Sequence, residues 1–356
     1  MDLSALDPVA LLLAMMMAAT PLLFAAVGEL VVEKAGVLNL GVEGMMILGA
    51  ITGFAVAVET ESAVIGVCAG ALGGAALALL FGLLTQVLLS NQVATGLGLT
   101  LFGLGLSALI GQPYAGIKPP SFPALNVAGY KIDALIPISL LLVALIASFL
   151  ARSHRGLQLR AVGENHDAAH ALGYNVVAIR LAAIAFGGAC AGTGGAYLSL
   201  VRVPQWTEGM TAGAGWIALA IVVFAAWKPW RTILGAYLFG GVTVVQLNVQ
   251  ALGVNPWLAI GALLVVTGLI LTAVALARRA LGHANPGTLA TGGLVASAGI
   301  LFAAFGAATG WPLPAQYLSM TPYLATIAVL VIMSADQMRA ALAAPGSLGR
   351  TFIKSG

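Results

Sequence analysis

Apolar residues run through this chain in long stretches, and polar residues fall mainly in the short gaps between them. A run of about 20 apolar residues, rising 1.5 Å per residue as a helix, is long enough to cross a bilayer. The pattern predicts such spans near 9–27, 36–57, 63–89, 93–110, 134–150, 176–200, 213–227, 232–251, 257–277, 288–310 and 321–335, about eleven in all. The expected fold is an all-α polytopic membrane protein, with residues 1–356 as one transmembrane domain. Two gaps are long. Residues 111–133 contain Pro113, Pro119, Pro120 and Pro123, which argue against a continuous helix. Residues 151–174, ARSHRGLQLRAVGENHDAAHALGY, form the most highly charged stretch. There Asn165 is placed to cap a short helix over His166–Leu172, with Asp167 near its positive end and Gly173 as its stop. Ala168, Ala171 and Leu172 would share one face of that helix, a small surface suited to docking another protein.

Composition sharpens the class. At 60% hydrophobic and 8% charged, the chain has too few polar residues to coat a soluble domain. Its formal charge of +3 is dispersed over loops and a terminus, which excludes a nucleic-acid-binding patch. Cys68 and Cys190 fall in apolar runs without partner spacing and read as small core residues. The start, MDLSALDP, lacks the basic region of a cleaved signal, so the first run is expected to remain as a helix. Basic residues mark cytoplasmic loops. One assignment puts Lys34, Arg152, Arg155, Arg160, Arg180, Lys228, Arg231, Arg278, Arg279, Arg339, Arg350 and Lys354 inside, leaving only Lys118, Lys131 and Arg202 outside. The N-terminus is then outside and the C-terminus cytoplasmic.

Familiar catalytic signatures are missing. No lysine follows a glycine, which excludes a Walker A loop, and the chain has no HExxH, GxSxG or Cys-rich metal spacing. His166 and His170 stand four apart, but two ligands without a third make exposed polar positions the better reading. No cofactor and no metal are expected. Within the spans, the second opens GVLNLGVEGMMILGA, which puts Asn39 and Glu43 one helical turn apart, with Glu43 about 10 Å into the span. Exposure of that carboxylate to lipid is costly, so it should meet a cavity, an interface or a polar group on a neighbouring helix. Asn91, Gln92 and Thr95 open the fourth span, where interfacial capping is a sufficient account. Trp206, Glu208 and Thr211 sit at an external edge.

Taken together, GVLNLGVEGMMILGA, NQVATGLGLT, LRAVGENHDAAHALGY, GGACAGTGGAYLSL and MTAGAGWIALAIVVF resemble an ABC-transporter permease of the ribose and branched-chain amino-acid type. The chain is most similar to the shorter permease of nucleoside and simple-sugar importers. The resemblance implies a second permease subunit, a cytoplasmic ABC ATPase, an extracytoplasmic substrate-binding protein and a place in the bacterial inner membrane. It makes 151–175 the coupling loop, in which Glu164, Asn165, Asp167, Ala168 and Ala169 would meet the ATPase. It sets Asn39, Glu43, Gln92, Thr95, Glu208 and Thr211 along the substrate path. Two departures stand out: His166 where the pattern has proline, and the segment 257–312, which reads as one extra helical hairpin. Competing readings are a branched-chain amino-acid permease and a stand-alone secondary transporter. Ion coupling of the latter kind usually needs several buried ionisable groups, and the sequence offers chiefly Glu43.

Overall fold

The computed structural model describes residues 7–127, 129–251, 286–310 and 344–353, with scattered positions in 257–276 and 317–324. The order is α1 (Pro8–Lys34), α2 (Val42–Thr60), α3 (Ala63–Gly82), α4 (Gln92–Gly111), β1 (Ala124–Val127), β2 (Tyr130–Asp133), α5 (Leu135–Arg152), α6 (His154–Glu164), α7 (His166–Ala171), α8 (Val176–Tyr197), α9 (Ala214–Phe224), α10 (Pro229–Ala251) and α11 (Pro286–Thr309). Both α3 and α8 close on a wider π turn, at Leu83–Val87 and Leu198–Arg202.

The chain is mostly helical, as the apolar runs predict. Among the described residues seven helices are long and apolar enough to cross a membrane. Of the other four expected spans, α9 has 11 residues, too few to cross alone, while α10 is long but more polar. The 257–277 span is described only in part, and the 321–335 span lies almost wholly outside the described residues, as do Arg278, Arg279, Arg339 and Lys354.

In the first compact unit, residues 1–241 with 325–356, α2 and α8 run through the centre against α1 and α3. Without a hydrophobic drive between helices in lipid, close backbone approach has to supply the packing. Glycines spaced by four provide it. A Cβ at Gly70 would stand 2.7 Å from the Gly49 carbonyl, and one at Gly74 2.7 Å from Gly192 Cα. The outer helices turn leucines outward, with Leu72 and Leu101 each 71% exposed. Cys190 is buried in this packing, whereas Cys68 is exposed on α3, so only one of the pair is a core residue.

In the loop 111–133, Pro113 lies in a single 3-10 turn, Gln112–Tyr114, while Pro119, Pro120 and Pro123 lie in non-helical backbone. The chain then folds back as an antiparallel hairpin, Ala124 opposite Asp133 and Val127 opposite Tyr130. Asp133 caps α5, accepting from Leu135 N and Ile136 N, and also accepts from the Tyr197 hydroxyl at 2.8 Å. Tyr130 donates to Asp7, the cap of α1. The start of α1, this hairpin and the end of α8 therefore share one end of the unit. The end of α1 and residues 344–353 share the other, through Ser347 N to the Gly163 carbonyl and Gly349 N to the Gly36 carbonyl.

Residues 242–324 form the second unit. Within it, a Cβ at Gly261 would meet Ala303 and one at Gly268 would meet Ala296. The Trp257 ring lies 4.6 Å from that of Phe302 and 5.4 Å from that of Phe305.

Candidate functional site

Residues 35–41 interrupt what sequence pattern alone reads as the start of the second span. Gly36 adopts φ +83°, and Asn39 Oδ1 accepts from Gly41 N at 2.9 Å. Asparagine competes with the helix in this way by bonding the backbone two residues on. Asn39 is thus not one helical turn below Glu43 on a shared face: it precedes the helix, and its amide donates to Glu29 Oε2 at 3.4 Å. Gln92 and Thr100 of α4 hold the same stretch, Gln92 accepting from Leu38 N at 2.9 Å and Thr100 donating to the Leu40 carbonyl at 3.2 Å.

Glu43 lies in the first turn of α2, buried. Thr211 Oγ1 donates to Oε1 at 2.7 Å and Gly215 N donates to Oε2 at 2.8 Å. The helix α9 begins here, after Gly213 at φ +82°, with no side-chain cap of its own. The orphan N–H groups of a helix start need acceptors, and the positive end of its dipole favours a carboxylate. Glu43 provides both from a neighbouring helix. Close approach is built in: a Cβ at Gly215 would stand 2.5 Å from Glu43 N. Two helices, α2 and α9, therefore start side by side around one buried carboxylate. Of the residues expected along the path, the structure joins Glu43 to Thr211 directly, and joins Asn39 and Gln92 through residues 38–41. Thr95 bonds Ser90 at 2.8 Å instead, and Glu208 is exposed.

Two acidic residues escape the sequence reading because it ends the first span at 27. Helix α1 continues to Lys34 and buries Glu29 and Glu33 on one face, four residues apart. Glu33 accepts from Trp227 Nε1, and Glu29 keeps one oxygen without a partner. The spacing was visible; the extent of the helix was not. With Glu29, Glu33 and Glu43 all buried, a count of intramembrane carboxylates no longer separates an ABC permease from an ion-coupled carrier. Among the described residues no cluster of three or more metal-ligating side chains occurs.

The charged loop is the second candidate. Asn165 accepts from Ala168 N at 2.9 Å and caps α7, and Gly173 ends it at φ +89°. Ala168, Ala171 and Leu172 are exposed on one face, with Leu172 at 75%. Ala169 points the other way, into a cluster with Val162, Val176 and Phe352. Glu164 is turned to the C-terminal segment, accepting from Gly346 N at 3.4 Å, and Asp167 is exposed.

Arg180, assigned with the other basic residues to the cytoplasmic side, is fully buried near the start of α8. It donates to the Ala35 carbonyl at 3.2 Å, Gln86 Oε1 at 3.2 Å and the Arg350 carbonyl at 3.1 Å, and to His166 Nδ1 at 3.1 Å. A guanidinium cannot accept, so His166 presents a lone pair at Nδ1. His166, which replaces proline at the first position of α7, thereby ties that helix to α8. Both His166 and His170 pack edge-on against the Phe352 ring.

Burial and the Arg180 charge hold the His166 pKa below its ordinary value, Arg350 adds to this, and Asp167 opposes it. The folded state therefore favours neutral imidazole. Its stabilising contribution is complete above the unfolded pKa of about 6.5 and falls as pH drops below that value. The melting temperature of the wild type is expected to fall more between pH 7 and pH 5.5 than that of His166→Gln. Parallel losses in the two proteins would contradict this account.

The family model described as branched-chain amino acid transport system / permease component matches residues 11–275. The chain is similar to a putative glucose ABC transporter permease protein of Haloferax volcanii, with 43% identity over 257 residues, 68% of this chain and 78% of the relative. It is similar to a nucleoside ABC transporter permease protein of Lactococcus lactis subsp. cremoris, with 29% identity over 64% of this chain and 78% of the relative. It is also similar to a guanosine ABC transporter permease protein of Bacillus subtilis, with 30% identity over 63% of this chain and 77% of the relative. No solved structure matches it.

Proposed function

Because the chain belongs to the branched-chain amino acid transport system permease family, and so is a multi-pass permease subunit of an ABC importer, we propose that it carries a sugar or nucleoside past the α2–α9 junction. Membership implies an ATPase and a binding protein as partners. The relatives named for glucose, nucleoside and guanosine transport support the cargo. The observation that carries the mechanistic reading is the meeting of two helix starts at Glu43, bonded to Thr211, with Asn39 and Gln92 holding the stretch that leads into α2. Helix starts inside a bundle aim their positive dipole ends at bound groups, and hydroxyl, amide and carboxylate groups suit a neutral polyhydroxyl cargo. A second permease subunit completes the path, the assembly sits in the inner membrane, and this subunit has no catalytic role. The test is uptake by proteoliposomes holding the whole importer. ATP-dependent accumulation of glucose or guanosine, uncompeted by leucine, is expected; leucine uptake, or uptake driven by an ion gradient without ATP, would overturn the proposal.

The exposed face of α7 is the proposed ATPase contact, with Asp167 and Ala168 presented, Asn165 shaping the turn, and Glu164 and Ala169 bracing it from behind. A long charged side chain on the small face should open that contact, so Ala168→Arg is expected to lower ATPase co-purification and uptake together. Ala169→Arg acts differently, by breaking the packing beneath. Normal co-purification of Ala168→Arg would remove α7 from the interface.

Orientation follows the basic residues, with the α6–α7 end cytoplasmic and the β1–β2 end outside. Cysteines placed at positions 154 and 170 should then react with a thiol reagent supplied from the cytoplasm, and one at 118 with an external reagent. The reverse pattern would invert the protein.

A further inference from the structure

Between α5, α6 and α8 runs an open groove of about 890 Å³ that neither the Glu43 junction nor the α7 face uses. Its walls change character along its length. Leu142 and Phe149 of α5 face Ala182 and Phe186 of α8 across an apolar stretch. At 1.5 Å per residue, the part from Leu142 to Phe149 is about 10 Å long. At the α6 end the lining becomes polar, with Arg155, Gln158, Tyr174 and Asn175.

Arg155 is the one charged residue among those lining the groove. Among the described residues the only ion pair joins His166 and Asp167, so no described carboxylate pairs with Arg155. A soluble ligand would have no use for the apolar stretch, and a free anion would not fill the volume. A molecule with an acyl chain and an anionic head matches both ends. Basic pockets between membrane helices at the cytoplasmic surface take anionic headgroups in this manner.

We propose that the groove binds one anionic phospholipid of the leaflet beside the Arg-rich loop, its acyl chain between α5 and α8 and its phosphate against Arg155. Tyr174 and Asn175 join α7 to α8, so the lipid would touch the joint by which the docking helix is hung. Anionic lipid then steadies that helix without entering the transport path. The site stands independently of which solute the importer carries.

The assembled importer, purified and placed in nanodiscs, tests this with a photoactivatable phosphatidylglycerol and the matching phosphatidylcholine probe. The expected result is labelling by phosphatidylglycerol of peptides covering 142–149 or 178–186, about fivefold above phosphatidylcholine. Arg155→Gln should remove that preference, and Ala182→Trp, which fills the groove, should remove the labelling. Excess inorganic phosphate should leave the labelling unchanged. Equal labelling by the two probes, an unaltered preference in Arg155→Gln, displacement by phosphate, or crosslinking of a partner subunit across the groove would each overturn the proposal. If Ala182→Trp fails to assemble, the probe preference and Arg155→Gln decide the question alone.

Discussion

Glu43→Leu is expected to reduce uptake to below about a tenth of wild type while the protein still inserts. The carboxylate accepts from Thr211 Oγ1 and from Gly215 N, and both donors are in buried surroundings. Leucine takes away both acceptors, and each buried donor left unsatisfied costs about 1–3 kcal/mol. A disturbance of about 1.4 kcal/mol in the working conformation already corresponds to tenfold. The start of α9 would relax away from α2 to find other acceptors, and the junction proposed to meet the solute would lose its shape. Glu43→Gln separates bonding from charge. Its amide oxygen can accept from Gly215 N while its NH2 donates to the Thr211 hydroxyl, which also accepts, so the bonding survives without the charge and partial uptake is expected. Thr211→Val, which removes only the hydroxyl, should resemble Gln more than Leu. Uptake by the Leu variant at the wild-type level, with the importer assembled, would show that the junction is not needed for transport.

Gly195→Ala should have the largest effect on stability. A Cβ there would stand 2.8 Å from the Met46 carbonyl carbon and 2.9 Å from Ala50 N, both backbone atoms of α2. Neither can swing aside, so α2 and α8 must separate along their most closely packed stretch. Overpacking of this kind costs about 1–3 kcal/mol in adaptable cores, and this interface has little side chain to adapt. A lower melting temperature in detergent and a low yield of folded protein are expected. Gly98→Ala and Gly105→Ala on α4 are the controls. A Cβ at either position meets nothing within 4 Å, and alanine is the better helix former by about 0.5–1 kcal/mol. Those two variants should melt at or slightly above the wild type. A Gly195→Ala protein as stable as the controls would mean that α2 and α8 are not held by backbone contact.

How far each feature could be read depended on whether neighbours in sequence decide it. The cap at Asn165, the stop at Gly173 and the outward face of Ala168, Ala171 and Leu172 were legible, because helix ends and faces within one short segment follow from local bonding and 3.6-residue periodicity. The four-residue spacing of Gly66, Gly70 and Gly74 and of Gly188 and Gly192 is also legible along the chain, and in lipid it has few uses other than close packing. The break at 35–41 was not legible. An apolar run looks alike whether it is helical throughout or opens over residues 35–41, and Asn39, Gln92 and Thr100 hold it open from two different segments. Glu29 and Glu33 were not legible for a related reason: where α1 ends depends on what buries it, and Trp227, far along the chain, supplies the partner for Glu33.

By itself, then, the sequence determined a helical membrane protein, the basic loop with its small-faced helix, and the glycine seams, all set by composition and by period along one segment. Tertiary structure decided which carboxylates are buried together, that Glu43 caps a helix other than its own, that Ala169 faces inward while Ala168 faces out, and that His166 and residues 344–353 close around Arg180. These are pairings across more than a hundred residues of chain in several cases, and hydrogen bonds of that range leave no periodic trace, because each partner is an ordinary polar residue until the fold brings the other to it.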